Sequence, residues 1–123
     1  MDRRTLARST GGLLLGSAVV PAAAAPIAIR HPHRIALHVA SGDRATMEMA
    51  LHHIDNVAAC YATRRETVAF ELVAVGPGYA MLRADISPVK AMIAATHAKY
   101  PSVVFASCQN TRAAVARREG KAI

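Results

Sequence analysis

Apolar positions along this chain fall into two kinds of pattern: near-continuous runs and helical stripes. "RIALHVA" (Arg34 to Ala40) is a run of the first kind and predicts a strand covered on both faces. Ser41-Gly42-Asp43 then breaks it. From Thr46 to about Arg64, Met47, Ala50, Leu51, Ile54, Val57, Ala58 and Tyr61 recur at helical spacing, with Glu48, His52, Asp55 and Asn56 opposite. Thr67 to Val75 predicts a second strand, with Glu71 expected near the solvent-facing rim of the sheet. Gly76-Pro77-Gly78 marks a sharp turn, and Tyr79 to Ala84 reads as one helical turn.

Ser87-Pro88 reads as a helix start, Ser as cap and Pro at the first helical position. Val89, Met92, Ile93, Thr96 and Tyr100 mark the apolar face of that helix down to Pro101. Ser102 to Ser107 predicts a third strand and Asn110 to Gly120 a third helix. Strand–helix alternation three times over predicts an α/β domain, a parallel sheet with crossover helices.

The first residues do not fit that alternation. "MDRRTLARSTGGLLLGSAVVPAAAA" has a charged start, an apolar middle and a small-residue end, the layout of a secretory signal with cleavage after Ala24. The apolar middle, Gly11 to Val20, is too short for a bilayer, which needs about 20 residues. Arg3-Arg4 with the glycine-bearing core resembles a twin-arginine signal; Asp2 and Ala7 depart from that pattern and leave the general secretory route open. A buried or disordered N-terminal helix is the other reading. Residues 1–24 are thus expected to be a signal peptide, 25–33 a linker and 34–123 the domain, with a periplasmic location and no stable membrane insertion.

The 123 residues suffice for one small domain. They are 53% hydrophobic but only 4% aromatic, which suits a helix-rich or α/β globule better than a β-sandwich. The formal net charge is +7, and cleavage after Ala24 removes three arginines and one aspartate to leave +5. The remaining basic residues are scattered and lack an aromatic stacking platform, which argues against nucleic acid as a partner. His31-Pro32-His33 has no carboxylate or thiol partner nearby, and His52-His53 diverge by about 100° on a helix. No metal site is expected, and no cofactor.

In a parallel sheet the strand C-termini share one edge, where ligands bind. Here those ends are Ser41-Gly42-Asp43, Gly76-Pro77-Gly78 and Ser107-Cys108-Gln109. A thiol just before a helix lies near the positive end of the helix dipole, which favours the nucleophilic thiolate. Arg112 could add to that field, and Asn110 and Thr111 can donate to a bound anion or to sulfur. A buried structural cysteine is the competing reading. The second cysteine, Cys60, falls near the end of the first helix, where the negative dipole end raises a thiol's pKa. That helix runs back across the sheet, so Cys60 and Cys108 are expected at opposite edges, beyond disulfide reach.

"HVASGDRATMEMALHHIDNV", "FELVAVGPGYAMLRAD" and "VVFASCQNTRAAVARREG" resemble the DsrE/DsrF-like family of small sulfur-relay α/β proteins, over essentially all of Arg34 to Gly120. The resemblance implies a flavodoxin-like sheet, homo- or hetero-oligomers, and a persulfide-carrying cysteine at Cys108. Members of the family normally continue past "ARREGK" with further strands. This chain stops at Ile123, so three strands, an unpaired edge and an uncovered face are expected, either through truncation or with another chain supplying the cover. The expected function is a sulfur carrier or sulfurtransferase with Cys108 as nucleophile, exchanging sulfur with donor and acceptor proteins or polysulfide. Gly76, Gly78, Gln109, Asn110, Thr111 and Arg112 would hold the anionic group. The alternative is a non-catalytic oligomerising or small-anion-binding module using the same edge.

Overall fold

The computed structural model describes residues 33–123. The expected signal peptide and nearly all of the linker lie outside the described residues. The elements are β1 (His33–Val39), α1 (Arg44–Thr63), β2 (Val68–Ala74), a 3₁₀ helix (Gly76–Leu82), α2 (Lys90–Lys99), β3 (Val104–Ser107) and α3 (Gln109–Glu119). The three strands form one open parallel sheet in the order β1-β2-β3. It is an α/β fold of the flavodoxin-like class, with β2 at the centre.

Strand order and crossover handedness together fix where the helices go. Both crossovers step in the same direction, so a right-handed connection places α1 and α2 on the same face. Met47, Leu51 and Ile54 of α1 meet Phe70 and Leu72 of β2 and Val89 at the start of α2 in one core cluster, completed by Met81 and Val103. The register puts Ile35 beside Phe70, Leu37 beside Leu72, and Leu72 beside Phe105, all on this covered face. Lys99 and Tyr100 both donate to the Asp55 carboxylate, at 2.6 and 2.8 Å, and clasp α2 to α1. Thr96, assigned by its spacing to the apolar face of α2, is buried.

The opposite face is open, which corrects the reading of β1 as a strand covered on both sides. In β1 half-buried Ile35 and Leu37 and buried Val39 alternate with exposed Arg34, Ala36 and His38. Glu71 is exposed at the middle of the central strand, not at a rim, and lies between Ala36 and Val104 in register. Val104 is also exposed on this face, 54% accessible. Alanine concealed the alternation: Ala36 and Ala69 pass for core residues in a sequence, and here they line the open side.

Two helix starts also differ from expectation. α2 begins at Lys90, capped by Val89 rather than Ser87. Ser87 instead turns its hydroxyl onto the Met81 carbonyl at 2.5 Å and accepts from the Val89 N–H at 3.3 Å, bracing the loop before the helix. The segment after β2 is a full seven-residue 3₁₀ helix starting at Gly76.

Candidate functional site

The sheet carries its chain ends to a common edge and holds them there. The Val75 N–H donates to the Val39 carbonyl and the Cys108 N–H to the Ala74 carbonyl, each at 3.0 Å, so both ladders run one residue past the strands. Cys108 therefore has a backbone position set by the sheet, and it is also the N-cap of α3, whose first residue is Gln109. The Cys108 carbonyl accepts from the Arg112 N–H at 2.9 Å, closing the first helical turn.

The thiol is half-buried. Its sulfur closes no short capping bond, as befits a neutral thiol, which is a poor acceptor. The thiolate is another matter. The Thr111 N–H, the Thr111 hydroxyl and the Asn110 N–H together favour the thiolate and lower the thiol's pKa from its ordinary value, against a smaller opposing effect of burial. Asn110 and Thr111 both lie in the first turn of α3, which begins at Gln109.

Thr111 has a second partner. Its Oγ1 accepts the Gly76 N–H at 2.9 Å, across 35 residues of sequence. A hydroxyl that accepts from one side keeps its own proton, so the Gly76 bond leaves Thr111 able to donate to a Cys108 thiolate. The loop after β2, the first turn of α3 and the thiol form one connected unit.

Three proposed roles change. Gly76 and Gly78 adjoin the site, but neither offers a free N–H for an anion. The Gly76 N–H is bound by Thr111 and the Gly78 N–H by the Val75 carbonyl at 2.9 Å. Their part is geometric: Gly76 adopts φ +51°, and a Cβ on Gly78 would lie 2.1 Å from the Val39 carbonyl oxygen. Arg112 directs its Nε to the main-chain oxygen of Ile123 at 2.5 Å and is not among the groups acting on the thiol. Gln109 is exposed at the first position of α3.

α1 also starts at this edge, but its N-terminus is already filled. The Asp43 carboxylate accepts the Thr46 N–H at 3.0 Å and the Thr46 hydroxyl at 3.1 Å, and these bonds hold its pKa below the usual carboxylate value. That leaves the start of α3 as the place where a helix end meets a nucleophile.

Cys60 is exposed on α1 and, like Cys108, unbridged. Among the described residues no group of His, Cys, Asp and Glu is arranged to hold a metal ion. No described helix is long and apolar enough to cross a membrane.

Sequence reasoning missed a cluster behind the site. Arg83, 7% exposed, donates from Nε and Nη2 to Asp85 and from Nη1 and Nη2 to Glu119. It ties the loop after the 3₁₀ helix to the end of α3. An arginine following "GYAML" was the only visible signal, and its carboxylate partner lies 36 residues away.

No family model, no curated protein and no solved structure matches the chain. What fold and geometry define is a class: an open parallel α/β protein with a free cysteine at the turn from its third strand into its third helix.

Proposed function

We propose that this protein is a single-thiol sulfur carrier, with Cys108 holding the sulfane sulfur. One observation carries the reading: half-buried Cys108 occupies the N-cap position of a helix whose first-turn donors favour its thiolate. The resemblance to DsrE/DsrF-like proteins around Cys108-Gln109-Asn110-Thr111 points the same way.

The chemistry balances without an oxidant. The Cys108 thiolate attacks the outer sulfur of a persulfide donor. A new S–S bond forms on Cys108 as the donor's S–S bond breaks, and the donor departs as a thiolate. An acceptor thiolate then attacks the outer sulfur of the Cys108 persulfide and Cys108 leaves as thiolate. Thr111 and Asn110 assist both steps: they raise the thiolate fraction for attack and make Cys108 a better leaving group for transfer.

Export to the periplasm belongs to the same reading and rests on the residue pattern of 1–24. So does self-association, which the uncovered sheet face supports, with Val104 exposed on it. An anion cradle at Gly76 and Gly78 is the weaker reading, because both N–H groups are already bound.

Intact mass after incubation with polysulfide tests the carrier. The expected result is a gain of one sulfur atom, lost on reduction, retained in Cys60→Ser and absent in Cys108→Ser. A gain that survives Cys108→Ser, or no gain in the unsubstituted protein, defeats the proposal.

A further inference from the structure

We propose that His33 and Glu66, together with His31, form a binding site for zinc or a similar divalent transition-metal ion at the strand-start edge of the sheet. In the sequence, His31-Pro32-His33 has no third ligand beside it. The fold supplies one. Glu66, 33 residues further on, brings its carboxylate to 2.6 Å from Nε2 of His33. Among the described residues, Glu66 has no cationic partner other than this imidazole.

Both groups are held by ordered backbone. His33 opens β1, in register with Val68 of β2. Its ring lies against the Tyr61 ring, with centroids 4.4 Å apart and planes tilted by 33°, which limits how the imidazole can turn. Glu66 closes the turn after α1. Its N–H donates to the Tyr61 carbonyl at 3.1 Å and the Arg65 N–H to the Ala62 carbonyl at 2.9 Å, with Arg65 at φ +57°. That is the left-handed closure of a helix end, here with arginine where glycine is usual. The His33 and Glu66 side chains are 36% and 40% exposed, so an ion can reach the pair from solvent.

The chemistry selects a borderline divalent ion. Imidazole nitrogen and carboxylate oxygen bind zinc at about 2.0–2.2 Å, which sets two such atoms about 3.3 Å apart around a tetrahedral ion. The His33–Glu66 pair needs to open by less than about 1 Å to admit it. The described residues alone hold no set of three ligands, and His31 lies outside them; its place is argued from the sequence. Proline disfavours helical backbone in the residue before it, and extended backbone sets residues two apart on one side of the chain. His31 therefore falls on the side of His33 that meets Glu66. Two imidazoles and one carboxylate leave a fourth position for water, a donor set that suits zinc and its neighbours better than calcium or magnesium. All three residues follow the expected cleavage point after Ala24.

This site lies at the opposite edge of the sheet from Cys108 and is independent of sulfur carriage. Zinc titration of the untagged full chain tests it, with Cys60→Ser and Cys108→Ser in place so that no thiol binds the metal. The expected result is one zinc per chain with a Kd of about 10 μM or tighter. His31→Gln, His33→Gln and Glu66→Gln each weaken it by about tenfold or more. His52→Gln and His97→Gln leave it unchanged. Because His33 also helps to seat β1, His31→Gln and Glu66→Gln decide the case if His33→Gln does not fold. No binding at about 100 μM zinc overturns the proposal. So does binding undiminished in His31→Gln or Glu66→Gln, or binding lost in His52→Gln or His97→Gln.

Discussion

The Gly76 N–H donates to Thr111 Oγ1 at 2.9 Å, and Thr111 is the residue that most lowers the pKa of the Cys108 thiol. This single bond joins the end of the central strand to the reactive end of α3. Thr111→Val keeps the side-chain shape and removes the hydroxyl. It leaves the Thr111 backbone donor in place, so the thiolate loses part of its stabilisation and not all of it. Alkylation of Cys108 at pH 7 should slow by about three- to tenfold. The Gly76 N–H also loses its partner, at a cost of about 1 kcal/mol in unfolding free energy. Thr111→Ser should restore most of both. Stopped-flow alkylation and urea unfolding read the two effects separately.

Gly76 and Gly78 are predicted to fail differently. Gly78→Ala places a methyl 2.1 Å from the Val39 carbonyl oxygen, backbone that cannot move without disturbing the end of β1. The expected loss is about 3 kcal/mol or more. Gly76→Ala meets no neighbour within 4 Å but must hold φ +51°, for about 1–2 kcal/mol. Urea midpoints should therefore fall further for the Gly78 variant, and equal falls would refute the close approach.

Acid should reveal the Arg83 cluster. The Arg83 guanidinium holds Asp85 down from 3.8 to about 2 and lowers Glu119 as well, while both carboxylates push Arg83 up. Carboxylates with folded values below their unfolded ones stabilise the protein above the unfolded value, and the contribution is lost as pH falls through the folded one. For Asp85 that window runs from about pH 4 down to about 2. The Asp43 cap and the Asp55 clasp, lowered by Thr46 and by Lys99, act in the same direction. Stability should be flat above about pH 5 and fall below pH 4. Asp85→Asn should flatten part of that fall, and an unchanged acid profile in this variant would show that the pair contributes nothing there.

The sequence was most legible where local pattern and burial agree. α1 could be read from Met47, Leu51 and Ile54 because all three are core residues, and β3 from an apolar run ending at Ser107-Cys108. Local pattern misleads where a residue type is neutral about burial. Ala36 and Ala69 made a one-sided sheet look two-sided, and Glu71 looked like an exception when it was the marker of the open face. Ser87-Pro88 has the composition of a cap but braces a loop, because the Met81 carbonyl competes for the serine hydroxyl. Asn110 and Thr111 were readable as first-turn residues of α3 from their place just after Cys108. The Gly76–Thr111 bond and the Arg83–Glu119 pair were not, since each joins residues more than thirty positions apart whose meeting is decided by the packing of α3.

The pH dependence of Cys108 alkylation tests the central claim most directly. The measurement uses Cys60→Ser, so that one thiol reports. Rate should follow thiolate fraction and rise with a midpoint below the ordinary thiol value of about 8.5. Thr111→Val should move that midpoint upward. A Cys108 midpoint at or above 8.5, or one indifferent to Thr111, would contradict the assignment of the start of α3 as the place where this protein makes a nucleophile.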